Sequence, residues 1–132
     1  MEALREVPTD GAGGMRRRSK YGVAIDAKGK EDRTIDNIVF DSKREAEVYR
    51  YLKALERTGT IRALERQVKF PLNALRASSL EQERVCHYIA DFVCQDLEGR
   101  TCVYDAKGVK TAMYRLKKKW FELQYGLRII EL

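Results

Sequence analysis

The chain has 132 residues, enough for one domain with a modest core. Its 26 Lys and Arg against 20 Asp and Glu leave a net charge of +6, a balance that favours a polyanionic partner. No apolar run approaches the roughly 20 residues of a membrane span, and the N-terminus lacks the apolar stretch of a signal peptide, so no membrane association and a cytoplasmic location are expected.

Residues 1–21 have little periodicity: Gly11, Gly13 and Gly14 precede Arg16, Arg17, Arg18 and Lys20. This composition reads as a flexible basic arm, either a phosphate-contacting tail or a plain disordered leader. Residues 22–132 read as a single domain. Gly22–Asp26 and Arg33–Phe40 look like short strands around the polar turn Ala27–Asp32, an N-terminal β-hairpin with Ile38 and Phe40 facing inward.

Ser42 to about Arg57 is a helix, opened by the capping-box pattern Ser42–Glu45 and closed by Gly59. Val48, Leu52 and Leu55, with Tyr49 alongside, form its apolar stripe. Glu45 lies at the edge of that stripe, where a free charge is costly. Capping alone accounts for it; the other reading is a carboxylate leaning over a metal ion. Glu47 points elsewhere. Ile61–Leu64 and Gln67–Leu72 are strand material, with Pro71 marking an edge or strand end. Gln67 and Lys69 share one face, able to contact a phosphate or a metal-bound water, or simply solvated. Asn73–Arg84 lacks a clear period and reads as a polar loop.

Val85–Cys94 and Arg100–Lys107 are rich in β-branched and aromatic residues and flank Asp96-Leu97-Glu98-Gly99. A three-residue loop Leu97-Glu98-Gly99, with Gly99 left-handed, pairs Asp96 with Arg100. The same register sets Cys94 opposite Cys102 and Asp91 opposite Asp105, where directly opposed Cβ atoms lie roughly 4.5–5.5 Å apart. Period two adds Lys107 to that face. Two carboxylates this close need a shared proton or a cation. A hard dication such as Mg²⁺ suits them, with Mn²⁺ as a substitute. Metal-assisted phosphodiester hydrolysis is one reading, and a solvated carboxylate pair bridged by Lys107 is the other. Strict alternation puts Cys86, Cys94 and Cys102 on the opposite face from the aspartates, as buried free thiols rather than zinc ligands, and His87 on the aspartates' face.

Gly108 ends the strand and Thr111 caps a helix to about Tyr125, with Met113, Leu116, Trp120 and Leu123 as its buried stripe. Lys110, Arg115, Lys117, Lys118 and Lys119 cover its remaining surface, a solvated face or a contact to a phosphate backbone. Gly126 closes the helix, and Leu127–Leu132 forms a last strand, parallel to its predecessor through a right-handed crossover. The fold class is α/β (α+β): helix, three strands, helix, strand, with a mixed sheet flanked by helices.

That order, with Asp91 and then Asp105-Ala106-Lys107, resembles the PD-(D/E)XK nuclease superfamily. The segments FDSKREAEVYRYLKALERTGTI, ERQVKFPL, YIADFV, DAKG and YRLKKKWFE resemble, in order, a family of small phage and prophage proteins grouped with that superfamily as endonucleases. They run from Phe40 towards the C-terminus, roughly the last two thirds of the chain. The resemblance implies a restriction-endonuclease-like core and a magnesium-dependent DNA endonuclease, related to enzymes acting on branched recombination or replication intermediates. It implies metal ligation by Asp91 and Asp105, with Glu45 as the helical acid completing the set. It implies that Lys107 orients the attacking water or stabilises developing charge, and that Gln67 is the polar residue of the preceding strand. Ala90 stands where many members have proline, and Asp105 where Glu is commoner. A noncatalytic nucleic-acid-binding module with the same fold is the alternative. Arg16, Arg17, Arg18, Lys69, Lys110, Lys117, Lys118 and Lys119 are the candidate DNA contacts, and a homodimer would suit paired cuts.

Overall fold

The computed structural model describes residues 27–132. The chain divides into two compact units, Met1–Ala46 and Glu47–Leu132. The expected strand Gly22–Asp26 and the arm carrying Arg16, Arg17 and Arg18 lie outside the described residues.

In the first unit, helix α1 (Ala27–Glu31) occupies the stretch expected to be a polar turn. The expected strand Arg33–Phe40 is instead a small hairpin of β1 (Thr34–Ile35) and β2 (Ile38–Val39). Asp36 and Asn37 between them have φ of 52° and 64°, the double left-handed turn that brings two strands back on each other. Arg33 is buried and ties the unit together, donating from Nε to the Phe40 carbonyl at 2.7 Å and from Nη1 to the Gly29 carbonyl at 3.1 Å. Phe40 is buried as its pattern predicts, and Ile38 half-buried. Helix α2 (Lys43–Arg57) starts where the capping pattern places it, with Ser42 Oγ accepting from Glu45 N–H at 3.1 Å.

The second unit holds the rest of α2 and a mixed four-stranded sheet in the order β3 (Arg62–Leu75), β4 (Gln82–Gln95), β5 (Thr101–Asp105), β6 (Ile129–Glu131). The first three strands are antiparallel, and β6 joins β5 in parallel after helix α3 (Ala112–Tyr125). Pro71 can sit within β3 because β3 is an edge strand. Its carbonyl accepts from Tyr125 OH at 2.7 Å and Gln124 Nε2 at 3.1 Å. Asn73–Arg84 is not a loop over its length: the ladder continues through Asn73–Arg84, Ala74–Glu83 and Leu75–Gln82. Both faces of this hairpin tip are largely exposed, so burial imposes no alternation there for the sequence to show.

Val48, Tyr49 and Leu52 of α2 are buried as expected, and Tyr49 meets Phe92 with ring centroids 6.1 Å apart. On α3 the expected stripe is wrong. Met113, Leu116 and Leu123 are 61%, 56% and 73% exposed and Trp120 is half-buried, whereas Tyr114 and Phe121 are buried. Aromatic area decides the rotation. Phe121 lies 4.9 Å from both Phe70 and Tyr125 and 5.1 Å from Tyr88, centroid to centroid. The hydroxyls of Tyr114 and Tyr125 find acceptors, so neither tyrosine buries an unpaired polar group. These rings join Leu72, Ala90, Val103 and Ile129 in the core beneath α3. Phe121→Ala should therefore lower the unfolding free energy by about 3–5 kcal/mol. Urea denaturation checks this; a loss under about 1 kcal/mol would contradict Phe121 as the centre of that core.

The cysteines do not share a face. Cys94 and Cys102 are cross-strand partners, but Cys86 packs against the core beneath α3. All three thiols are free. Burial, and secondarily the Cys102 thiol, pushes the Cys94 thiol up to about 11, so it is unreactive at neutral pH.

Candidate active site

The β4–β5 turn sets the register of the site. Gly99 takes φ 79°, Gly99 N–H donates to the Asp96 carbonyl, and Asp96 N–H donates to the Arg100 carbonyl, both at 3.0 Å. Asp96 Oδ1 accepts from Glu98 and Arg100 N–H, each at 2.9 Å. The Arg100 N–H is the main reason that this carboxyl is held below the usual range. From this turn the ladder pairs Cys94 with Cys102 and Phe92 with Tyr104, so the next position brings Asp91 to Asp105.

One irregularity shapes the site. Tyr88 and Ala90 belong to the core beneath α3, but so does Val93, of opposite parity. The reversal falls beside Gln67, which has φ 52° in mid-strand; β3 pairs Arg66 with Phe92 and Val68 with Ala90, skipping Gln67 and Asp91. The exchange of faces in β4 between Ala90 and Val93 comes without a register shift, since Arg66–Phe92 and Val68–Ala90 keep the same register on either side of the left-handed Gln67. It explains why Cys86 and Cys94 part company. It also lets Tyr88 and Asp105, 17 residues apart, meet under one helix.

Asp91 is 8% exposed and Asp105 fully buried. Asp91 Oδ2 accepts from Ala106 N–H at 2.9 Å, and Oδ1 from Gln67 Nε2 at 3.3 Å. Asp105 Oδ2 accepts from Tyr88 OH at 2.6 Å. Its Oδ1 lies 3.1 Å from Lys107 Nζ, an ion pair, yet receives no hydrogen bond. Burial is the main force on Asp105; with Asp91 beside it, the carboxyl rises to about 6 against the pull of Tyr88 and Lys107. Burial and the adjacent Asp105 also push the Tyr88 phenol far above its ordinary range, so it stays a donor. Lys107 Nζ sits 5.1 Å from the centroid of Tyr114, whose hydroxyl donates to Glu131 Oε2 at 2.8 Å.

Four sequence-predicted residues thus come together: Asp91, Asp105, Lys107 and Gln67. Glu45 is buried at the start of α2, in the unit Met1–Ala46. Lys69 is exposed on β3, Lys117 half-buried and Lys119 exposed on α3. Lys110 and Lys118 pair with Glu131 at 3.0 and 3.4 Å. Tyr88, Tyr114 and Glu131 escaped the sequence reading. Only Tyr88 carried a signal there, as a hydroxyl-bearing aromatic near Asp91 in a strand otherwise suited to burial.

Among the described residues no group of three or more His, Cys, Asp and Glu converges to hold a metal ion. The donor chemistry of the pair nevertheless fits a hard dication. Asp91 and Asp105 present carboxylate oxygens at one point, and the buried Asp105 Oδ1 makes the Lys107 ion pair but no hydrogen bond, leaving acceptor capacity.

No helix among the described residues is long and apolar enough to cross a membrane. No curated protein and no solved structure gives a significant match. A family described as a protein of unknown function (DUF1064) matches residues 18–130, and the chain belongs to that family.

Proposed function

We propose that the protein is a metal-dependent DNA endonuclease with a restriction-endonuclease-like core of the PD-(D/E)XK type. One observation carries the reading: two acidic side chains and a lysine meet where β4 and β5 end their pairing, and the buried Asp105 Oδ1 makes the Lys107 ion pair without a hydrogen bond. A core packed for stability alone would fill such a point with apolar side chains, because buried like charges destabilise it.

Asp91 and Asp105 are the residues to hold Mg²⁺, with Mn²⁺ as a substitute. When bound, the ion supplies Lewis-acid polarisation of a phosphoryl oxygen and a lowered pKa for water. The Ala106 N–H fixes the Asp91 carboxylate and the Tyr88 hydroxyl fixes that of Asp105, so neither has to reorganise when substrate arrives. Gln67 orients the Oδ1 oxygen of Asp91. Lys107, whose side chain is part-exposed, offers positive charge to the phosphate as negative charge builds on it. The excess of basic residues suits a nucleic-acid substrate.

The test is a labelled panel of linear duplex, single strand, fork and four-way junction, incubated with Mg²⁺, Mn²⁺ or EDTA. Cleavage of at least one substrate in either metal and none in EDTA is expected. Binding without cleavage of any substrate would replace this reading with a noncatalytic module.

A further inference from the structure

Beside the aspartate pair, across the parallel strand, Glu131 gathers cations that neither the core nor the proposed chemistry requires. Its Oε1 is 3.0 Å from Lys110 Nζ and 3.4 Å from Lys118 Nζ, and its Oε2 accepts from Tyr114 OH at 2.8 Å. Two ammonium groups and a phenol on a single carboxylate are more donors than a strand-end salt bridge needs, and their charges outnumber its own. An oxyanion held by two lysines and a tyrosine is a phosphate-like arrangement. The Tyr114 hydroxyl and the lysines together hold Glu131 ionised, its carboxyl drawn down to about 2.

The surroundings are those of a ligand site. A cavity of about 360 Å³ opens here, lined by Lys110, Tyr114, Arg115, Lys118 and Glu131, among others. Lys110 and Lys118 remain 45% and 29% exposed, so an anion from solvent reaches them. The cluster is physically continuous with the aspartates. Glu131 is the register partner of Asp105, Leu132 N–H donates to the Asp105 carbonyl at 3.0 Å, and the Tyr114 ring lies under Lys107 Nζ. Adjacent strands lie about 4.8 Å apart. An anion seated at the lysines is therefore a near neighbour of one at Asp105, a relation that suits successive phosphates of one strand better than a free ion.

We infer that Lys110, Lys118 and Tyr114 form a subsite for a nucleic-acid backbone phosphate next to the one at the aspartates, and that Glu131 occupies it until the phosphate displaces its carboxylate. The inference rests on the nucleic-acid reading above but not on catalysis. Glu131 thus lowers affinity for every polyanion and makes entry of the strand a competition between carboxylate and phosphate. Neutralising Glu131 without changing its size frees both lysines.

The experiment measures binding of a short labelled duplex in EDTA, so that cleavage plays no part. Glu131→Gln should bind about tenfold tighter than wild type, with a plot of log affinity against log salt steeper by about one. The double variant Lys110→Ala/Lys118→Ala, which alters only part-exposed side chains, should bind about tenfold weaker with a shallower slope. Unchanged or weaker binding by folded Glu131→Gln overturns the displacement. If Glu131→Gln fails to fold, the lysine variant decides, and wild-type affinity and slope there overturn the subsite. Inorganic phosphate at equal phosphate concentration should compete poorly; full competition would contradict a backbone ligand. A protein that fails to cut DNA but shows these binding changes would refute the nuclease reading and leave the subsite intact.

Discussion

Asp105→Asn should reduce phosphodiester cleavage by at least about a thousandfold while leaving the fold intact. The substitution keeps an acceptor for the Tyr88 hydroxyl, which reaches Asp105 Oδ2 at 2.6 Å. It removes the charge proposed to hold the dication, and with it the polarising effect that such an ion would exert on phosphate and water. Calorimetric titration with Mg²⁺ should lose its binding heat in the same variant. Stability should move the other way. Burial and Asp91 raise the Asp105 carboxyl from its ordinary 3.8 to about 6. A raised folded-state value stabilises the protein below about 3.8, and that contribution is lost as pH climbs through about 6. Without metal, the wild type should therefore lose on the order of 1–3 kcal/mol between pH 4 and pH 7 from this group. Asp105→Asn should flatten that loss, and added Mg²⁺ should offset it in the wild type alone. Thermal melts across that pH range check the sign; a wild type that gains from Asp105 as pH rises through 6, relative to Asp105→Asn, would contradict it.

Lys107→Met should slow cleavage by about a hundredfold to a thousandfold, with Mg²⁺ affinity changed much less. Methionine retains most of the aliphatic stem that passes the Tyr114 ring but deletes the charge 3.1 Å from Asp105 Oδ1. Lys107 also draws the Asp105 carboxyl down against burial, so its removal should shift the acidic limb of the pH–rate profile to higher pH. Single-turnover rates across pH, with calorimetry beside them, separate the two roles. Equal losses of Mg²⁺ affinity and rate would make Lys107 a ligand-organising group rather than a stabiliser of phosphate charge.

The part of the fold written most plainly in the sequence was that carried by local chemistry. Ser42 and Thr111 cap their helices, Gly99 and Gly126 take left-handed φ, and the turn at Gly99 sets the register that brings Asp91 to Asp105. Where tertiary packing decides, the pattern misled. Met113, Leu116 and Leu123 have helical spacing as regular as any core stripe, but the rings of Tyr114 and Phe121 take the buried face. Strict alternation also failed in β4, where Val93 joins the core of Tyr88 and Ala90 opposite the left-handed Gln67, because that positive φ is a response to the fold that no residue type announces. Tyr88 and Glu131 were hidden for a related reason. Each meets its partner through strand pairing and helix placement, at sequence separations of 17 residues.

The most direct measurement runs wild type and Asp105→Asn side by side on the best-cut substrate of the panel, in Mg²⁺ and in EDTA. Folding of both proteins is verified by circular dichroism. Cutting by the wild type in Mg²⁺ alone and none by the variant is expected. Equal cutting by the two folded proteins, or wild-type cutting that persists in EDTA, would contradict it.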